Sequence, residues 1–176
     1  MKKPLVSFLF LLTALSLSAQ TAAELDVLLE IKEVTAAKAA RFVMGAAGLL
    51  PEELSGAAAE TVAYNTARSK GWLRRGAADS VSLKETAFLV MNVFEFKGGI
   101  MYSLFRNPRY AYREAVYRKL IPKRDDPSMT VSGTALLQII DRSLDFSGED
   151  DRLETEQQAA SAMQNPPVEQ ADGDDP

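Results

Sequence analysis

The sequence predicts an all-α fold, a helical bundle of three helix–loop–helix units between residues 20 and 146. Three observations lead to this prediction. Three segments repeat the same order of a valine, a hydroxyl residue and an apolar run with helical spacing. Each of them follows another stretch that is also typical of a helix. No segment has the sustained alternation or the β-branched clusters that indicate strands.

The repeated segments begin with good helix caps. They open at Val34-Thr35, Val81-Ser82 and Val131-Ser132. The hydroxyl oxygen of the second residue can accept a hydrogen bond from a free amide in the first helical turn. Ser82 is also followed three residues later by Glu85, which is the spacing of a capping box. These signals predict a helix directly after each of the three hydroxyl residues.

A first helix is predicted ahead of each capped helix. The three predicted stretches are Ala22–Lys32, Ala57–Lys70 and Pro108–Leu120. Gly71 suits the residue after a helix end, and Asn107 suits an N-cap because proline is favoured at the next position. We expect the Gly98-Gly99 pair to end the second capped helix.

This repeat resembles the S-layer homology (SLH) repeats of exported bacterial proteins. The resemblance covers about residues 22–145 and implies a three-unit bundle that binds cell-wall polymers. The family's Thr-Arg-Ala-Glu signature corresponds here to Thr35-Ala36-Ala37-Lys38, Ser82-Leu83-Lys84-Glu85 and Ser132-Gly133-Thr134-Ala135, without its arginine. The alternative is an unrelated helical bundle whose capped helices look alike because caps look alike.

The amino terminus has the order of a secretory signal peptide at residues 1–19. Two lysines precede the apolar run Leu5–Leu17, and Ala19 offers a small residue for cleavage. A membrane anchor is the alternative, but the run of about 13 residues is shorter than the roughly 20 that span a bilayer. We therefore expect a periplasmic or otherwise exported protein with no transmembrane segment in the mature chain.

The carboxyl terminus is predicted to be a disordered acidic tail over residues 147–176. It holds nine acidic residues against one basic residue, Arg152, and it has no periodic apolar pattern. The net charge of −4 therefore belongs to the tail, because the residues before it carry more basic than acidic side chains.

The composition restricts the possible chemistry, since the chain has no cysteine and no histidine. Those two absences exclude disulfides, a thiolate nucleophile, a Cys/His zinc site and a Ser-His-Asp triad. We expect no metal site, no cofactor and no enzymatic activity. The enzyme alternative is a small helical glycan hydrolase that uses a glutamate, for which Glu95 is the candidate.

The segment Lys97–Arg124 is the candidate binding surface, because it combines eight basic residues with five aromatic ones and a single acid, Glu114. Arginine offers forked donors to carboxylates or phosphates, and tyrosine rings stack on sugars or bases. In an exported chain these properties favour a glycan, the carboxylates of peptidoglycan stem peptides or anionic lipid headgroups as the ligand. The predicted binding residues are Tyr102, Arg106, Arg109, Tyr110, Arg113, Tyr117 and Arg118. The alternative is an amphipathic helix with an ordinary solvated basic face.

We interpret the chain as an exported, non-enzymatic protein of the cell envelope that binds through this basic aromatic surface. The expected partner is an envelope polymer, peptidoglycan or another glycan, or an envelope protein. Export argues against nucleic acid as the partner. The alternative function is an adaptor or chaperone-like subunit of an envelope complex, which predicts a large exposed apolar patch.

Overall fold

The structure is a computed structural model that describes residues 23–51, 53–122 and 125–164, with the side chains at 149–151 and 153–164 left undescribed. Its helices are α1 (23–30), α2 (Ala36–Ala46), α3 (Gly56–Ser69), α4 (Leu83–Val93), α5 (Ile100–Phe105), α6 (Pro108–Tyr117) and α7 (Gly133–Gln164). The described residues contain no strand, only isolated bridges of Thr35 with Ser80 and Ser82 with Thr130. The all-α prediction is confirmed.

The helices follow the predicted unit order, with α1–α2, α3–α4 and α6–α7 as the three pairs. The packing crosses between units, because α3 lies against α2 and α6 lies against α4. The first helix of each later unit therefore packs on the capped helix of the unit before it. The three capped helices α2, α4 and α7 also contact one another, and the buried apolar cluster runs through all of them.

The loops before the capped helices meet in a closed ring of three backbone hydrogen bonds. The Val34 amide donates to the Val131 carbonyl at 2.8 Å. The Val131 amide donates to the Val81 carbonyl at 3.1 Å, and the Val81 amide donates to the Val34 carbonyl at 2.9 Å. All three valines are buried. Each unit thus bonds to both others at the same position of its repeat, which gives the bundle an approximate threefold arrangement.

The first turn of each capped helix is bonded to the loop of another unit. A helix leaves its first four amides without intrahelical acceptors. Here the Ala36 amide donates to the Asp79 carbonyl at 2.9 Å, and the Leu83 amide donates to the Met129 carbonyl at 2.9 Å. The Gly133 amide donates to the Ile31 carbonyl at 2.8 Å. These contacts run from the first unit to the second, from the second to the third, and from the third back to the first.

The predicted N-caps of the three helices are confirmed. The hydroxyl oxygen of Thr35 accepts from the Lys38 amide at 3.4 Å, and that of Ser132 accepts from the Ala135 amide at 3.2 Å. Ser82 and Glu85 form the predicted capping box. The cap signals in the sequence therefore report the true helix starts.

The Glu85 carboxylate also ties α4 to the preceding loop. The Arg75 Nε donates to both carboxylate oxygens at 2.8 Å. Burial alone would raise the pKa of Glu85, but hydrogen bonds from Ser82 and Arg75 and the arginine's charge outweigh it and hold the pKa below its ordinary value. The group is therefore held in its charged form at neutral pH.

The end of α3 follows the prediction, and the end of α4 does not. Gly71 adopts φ 73° directly after α3, as expected of a residue that closes a helix. Helix α4 ends earlier than the Gly98-Gly99 pair, because Glu95 adopts φ 55° and the Phe96 amide closes onto the carbonyl of Met91 at 3.0 Å. The glycine pair instead precedes α5, a helix that the sequence analysis did not predict.

Helix α7 continues through residues 147–164, which were predicted to belong to the disordered tail, and ends at Gln164. Residues 147–164 are rich in glutamate, glutamine and alanine, which have high helix propensity even without an apolar stripe. The remaining tail residues, 165–176, and the predicted signal peptide, 1–19, lie outside the described residues.

Gly133 is expected to be essential to the closure of the three units. A Cβ atom at this position would lie 1.7 Å from the carbonyl oxygen of Leu28, whereas one at Gly45 in α2 would meet nothing within 4 Å. Because the contact is with backbone, Gly133→Ala should lower the free energy of unfolding by about 2 kcal/mol or more. Gly45→Ala should be neutral or stabilise by up to about 1 kcal/mol. Urea denaturation measures both; equal effects of the two substitutions would contradict this packing.

Candidate binding groove on helix α6

Helix α6 begins as predicted. The side-chain oxygen of Asn107 accepts from the amides of Arg109 at 3.0 Å and Tyr110 at 3.2 Å, and Pro108 takes the first helical position. The helix ends where Lys119 adopts φ 61°. The Asn107 cap fixes where α6 begins and therefore the directions in which its arginine and tyrosine side chains project from the helix.

One face of α6 is buried and fixes the neighbouring loop. Ala111, Tyr112 and Ala115 pack into the core against α4. The Tyr112 hydroxyl donates to the backbone carbonyl of Asp125. From the other side, the amide of Lys84 at the start of α4 donates to the carbonyl of Pro127 at 3.0 Å. The loop that holds these two carbonyls is therefore anchored to two helices.

A groove of about 460 Å³ lies between α6 and this loop. Its lining residues are Arg109, Tyr112, Arg113, Val116, Tyr117, Asp125 and Pro127. Because both walls are held by backbone and side-chain hydrogen bonds, the groove is formed before any ligand arrives. Preformed sites avoid the entropic cost of ordering a loop on binding.

Three of the predicted binding residues, Arg109, Arg113 and Tyr117, share this groove. The two arginines are one helical turn apart and exposed, and the side chain of Tyr117 is 83% exposed. Neither guanidinium forms an ion pair with another residue in the described part of the chain. Their donors are therefore directed at solvent, where they can meet an anionic group.

Arg118 has a structural position, away from the groove. Its Nε donates to Glu114 at 2.8 Å, its terminal nitrogen donates to the carbonyl of Lys97, and its guanidinium lies 4.8 Å from the ring centre of Phe146. This arginine joins α6 to the segment after α4 and to α7. Helical spacing could have indicated the pair with Glu114, four residues earlier. The contacts with Lys97 and Phe146 could not be predicted, because these residues are 21 and 28 positions away in the sequence.

The other predicted residues also lie apart from the groove. Tyr102 is the buried residue of α5 and forms a hydrogen bond with Asn92, and burial raises the pKa of its phenol. Tyr110 stacks on Phe105 with ring centres 5.7 Å apart, and Arg106 is exposed at the end of α5. The seven predicted residues therefore do not form one surface, because the segment folds into two helices that point them in different directions.

Four groove residues, Tyr112, Val116, Asp125 and Pro127, were missing from the sequence prediction. Helical spacing could have found the first two, since positions 109, 112, 113, 116 and 117 lie along one side of a helix. The loop residues carry no comparable signal. Their place in the groove depends on contacts with α4 and α6, which are distant in the sequence.

The candidate acid Glu95 is exposed in the turn after α4 and does not line the groove. Asp125 is the one carboxylate among the described lining residues. The described residues contain no cluster of three or more acidic side chains suited to a metal ion.

No helix in the described part of the chain combines the length and the hydropathy needed to cross a membrane.

Comparisons with protein-family models, with curated proteins and with solved structures find no match to this chain. The physical features of the fold and of the groove are therefore the basis for a functional proposal.

Arg113 in the groove and Arg118, which joins three parts of the fold, should differ in how much they contribute to stability. Arg118→Ala removes a largely buried ion pair, a hydrogen bond to a carbonyl and a ring contact, so the free energy of unfolding should fall by about 1–2 kcal/mol. Arg113→Ala, an exposed position on the same helix, should change it by less than about 0.5 kcal/mol. Chemical denaturation tests the contrast; a larger loss at Arg113 would assign that arginine a structural role.

Proposed function

We propose that this chain is an exported, non-enzymatic protein of the cell envelope that binds an envelope polymer in the α6 groove. The observation that carries the proposal is the convergence of Arg109, Arg113 and Tyr117 on one preformed, solvent-open groove. Because these arginine and tyrosine side chains are exposed, they cost little free energy of folding, and their donors and ring face remain available to a ligand.

The ligand chemistry follows from the groove's side chains. Each guanidinium can bind a carboxylate through two parallel hydrogen bonds. A tyrosine ring offers a flat apolar face to a sugar ring. Peptidoglycan carries both features, with sugar rings in its glycan strands and carboxylates on its stem peptides. A groove with a single described carboxylate, Asp125, also fits binding better than the paired-carboxylate chemistry of glycoside hydrolysis.

We also propose that the three units form an SLH-like module. The closed ring of Val34, Val81 and Val131 supports this proposal, because equivalent positions of three repeats make equivalent contacts. The family's signature arginines are absent at the helix starts. In this chain Arg109 and Arg113 of α6 offer exposed cationic groups to a polymer instead.

Sedimentation with purified, insoluble peptidoglycan tests the function. The mature chain from Gln20 should pellet with the polymer, and Arg109→Ala/Arg113→Ala should reduce the bound fraction about tenfold or more, since two charge-assisted contacts are lost. Tyr117→Ser should also weaken binding.

The matched control is Arg74→Ala/Arg152→Ala, which removes the same charge from two exposed positions outside the groove. It should bind like the unsubstituted chain. Equal losses in the two double variants would mean that charge alone drives adsorption, and no binding by the unsubstituted chain would contradict the proposal outright.

A further inference from the structure

Helix α5 presents an apolar face to solvent. Four of its six residues are exposed and apolar: Ile100 by 84%, Met101 by 57%, Leu104 by 69% and Phe105 by 50%. Large apolar side chains are normally the ones removed from water in folding. A contiguous group of them on one short helix therefore indicates a surface that meets an apolar partner.

The folded structure uses this face only in part, at Phe105, whose ring is half exposed and stacks on Tyr110. Positions 100, 101, 104 and 105 lie on one side of the helix, while Tyr102 points the other way and is buried. The ring of Tyr102 lies so close to Gly98 that a Cβ atom there would be 2.2 Å from it. This contact and the Phe105–Tyr110 ring stack hold α5 on the body of the protein.

Basic residues flank α5 in the sequence. Lys97 precedes α5, and Arg106 and Arg109 follow it, all three exposed. Across residues 97–122 there are six basic residues and one acid, Glu114, whose charge is already paired with Arg118. The region is therefore strongly positive and complements an anionic surface.

We propose that α5 docks the protein onto an anionic lipid surface, with its apolar face among the acyl chains and the neighbouring cations at the headgroups. An exposed apolar helix face with exposed lysine and arginine residues directly before and after it has the composition of helices that lie in a bilayer interface. The attraction of basic residues to anionic headgroups adds to the apolar burial. The apolar residues of α5 do not line the α6 groove or the two grooves beside α2, which suits insertion into lipid better than capture of a partner side chain.

This surface is distinct from the α6 groove, and the inference does not rest on polymer binding. Arg109 borders both sites, but the apolar residues of α5 line no part of the groove. A variant that removes the apolar face should therefore lose lipid binding and keep polymer binding.

Co-sedimentation with sucrose-loaded vesicles tests the inference. Every residue of the described core lies between Leu28 and Phe146, so the mature chain from Gln20 keeps the whole core. It should pellet with vesicles of equal parts phosphatidylcholine and phosphatidylglycerol and much less with phosphatidylcholine alone. Raising the salt to about 0.5 M should release a large part of it by screening.

Ile100→Ser/Leu104→Ser should lower the vesicle partition coefficient about tenfold or more, because each apolar side chain contributes to burial in the bilayer. The control Val62→Ser/Leu144→Ser changes two exposed apolar residues on other helices and should bind like the unsubstituted chain. All of these positions are exposed, so circular dichroism should show unchanged melting.

Three results would overturn the inference. They are equal binding by the α5 variant, equal pelleting with both kinds of vesicle, and no pelleting with either. If the chain instead dimerises in sedimentation equilibrium and the α5 substitutions abolish the dimer, the face belongs to a second copy of this chain.

Discussion

The ring of backbone hydrogen bonds among Val34, Val81 and Val131 is the constraint on which the rest of the bundle depends. Their amides and carbonyls are buried, and a buried backbone group without a partner costs free energy comparable to a lost hydrogen bond. The hydrogen-bond partners of each valine's amide and carbonyl come from the other two units. The three loops therefore become stable together, and each fixes the start of one central helix.

The candidate sites depend on that constraint through a short series of contacts. The ring holds the loop before α7, and the start of α4 bonds to Pro127 in the same loop. That loop forms one wall of the groove, and α6, packed on α4, forms the other. Helix α5 is attached to α6 by the Phe105–Tyr110 stack, so the apolar face and the groove keep a fixed relation to each other.

The sequence predicts well what depends on neighbouring residues. The caps at Thr35, Ser82, Ser132 and Asn107 were found because a capping side chain and its amide lie within three residues. The ring of backbone hydrogen bonds could not be predicted, because bonds between valines distant in the sequence do not produce a recognisable side-chain pattern. Helix α5 was missed since its apolar residues follow two glycines and face solvent. Four of the seven predicted binding residues lie outside the groove. For Arg118 and Tyr102 the reason is related, because Lys97, Phe146 and Asn92, which they contact, belong to other parts of the fold that spacing does not reveal.

Native-state hydrogen exchange at the amides of Val34, Val81 and Val131 tests the central claim most directly. If the ring is the common constraint, all three amides should exchange only through global unfolding, with one free energy of opening equal to that from denaturant unfolding. An amide that exchanges far faster than the other two would show that its unit opens independently. That result would contradict the account of a closed, mutually dependent ring.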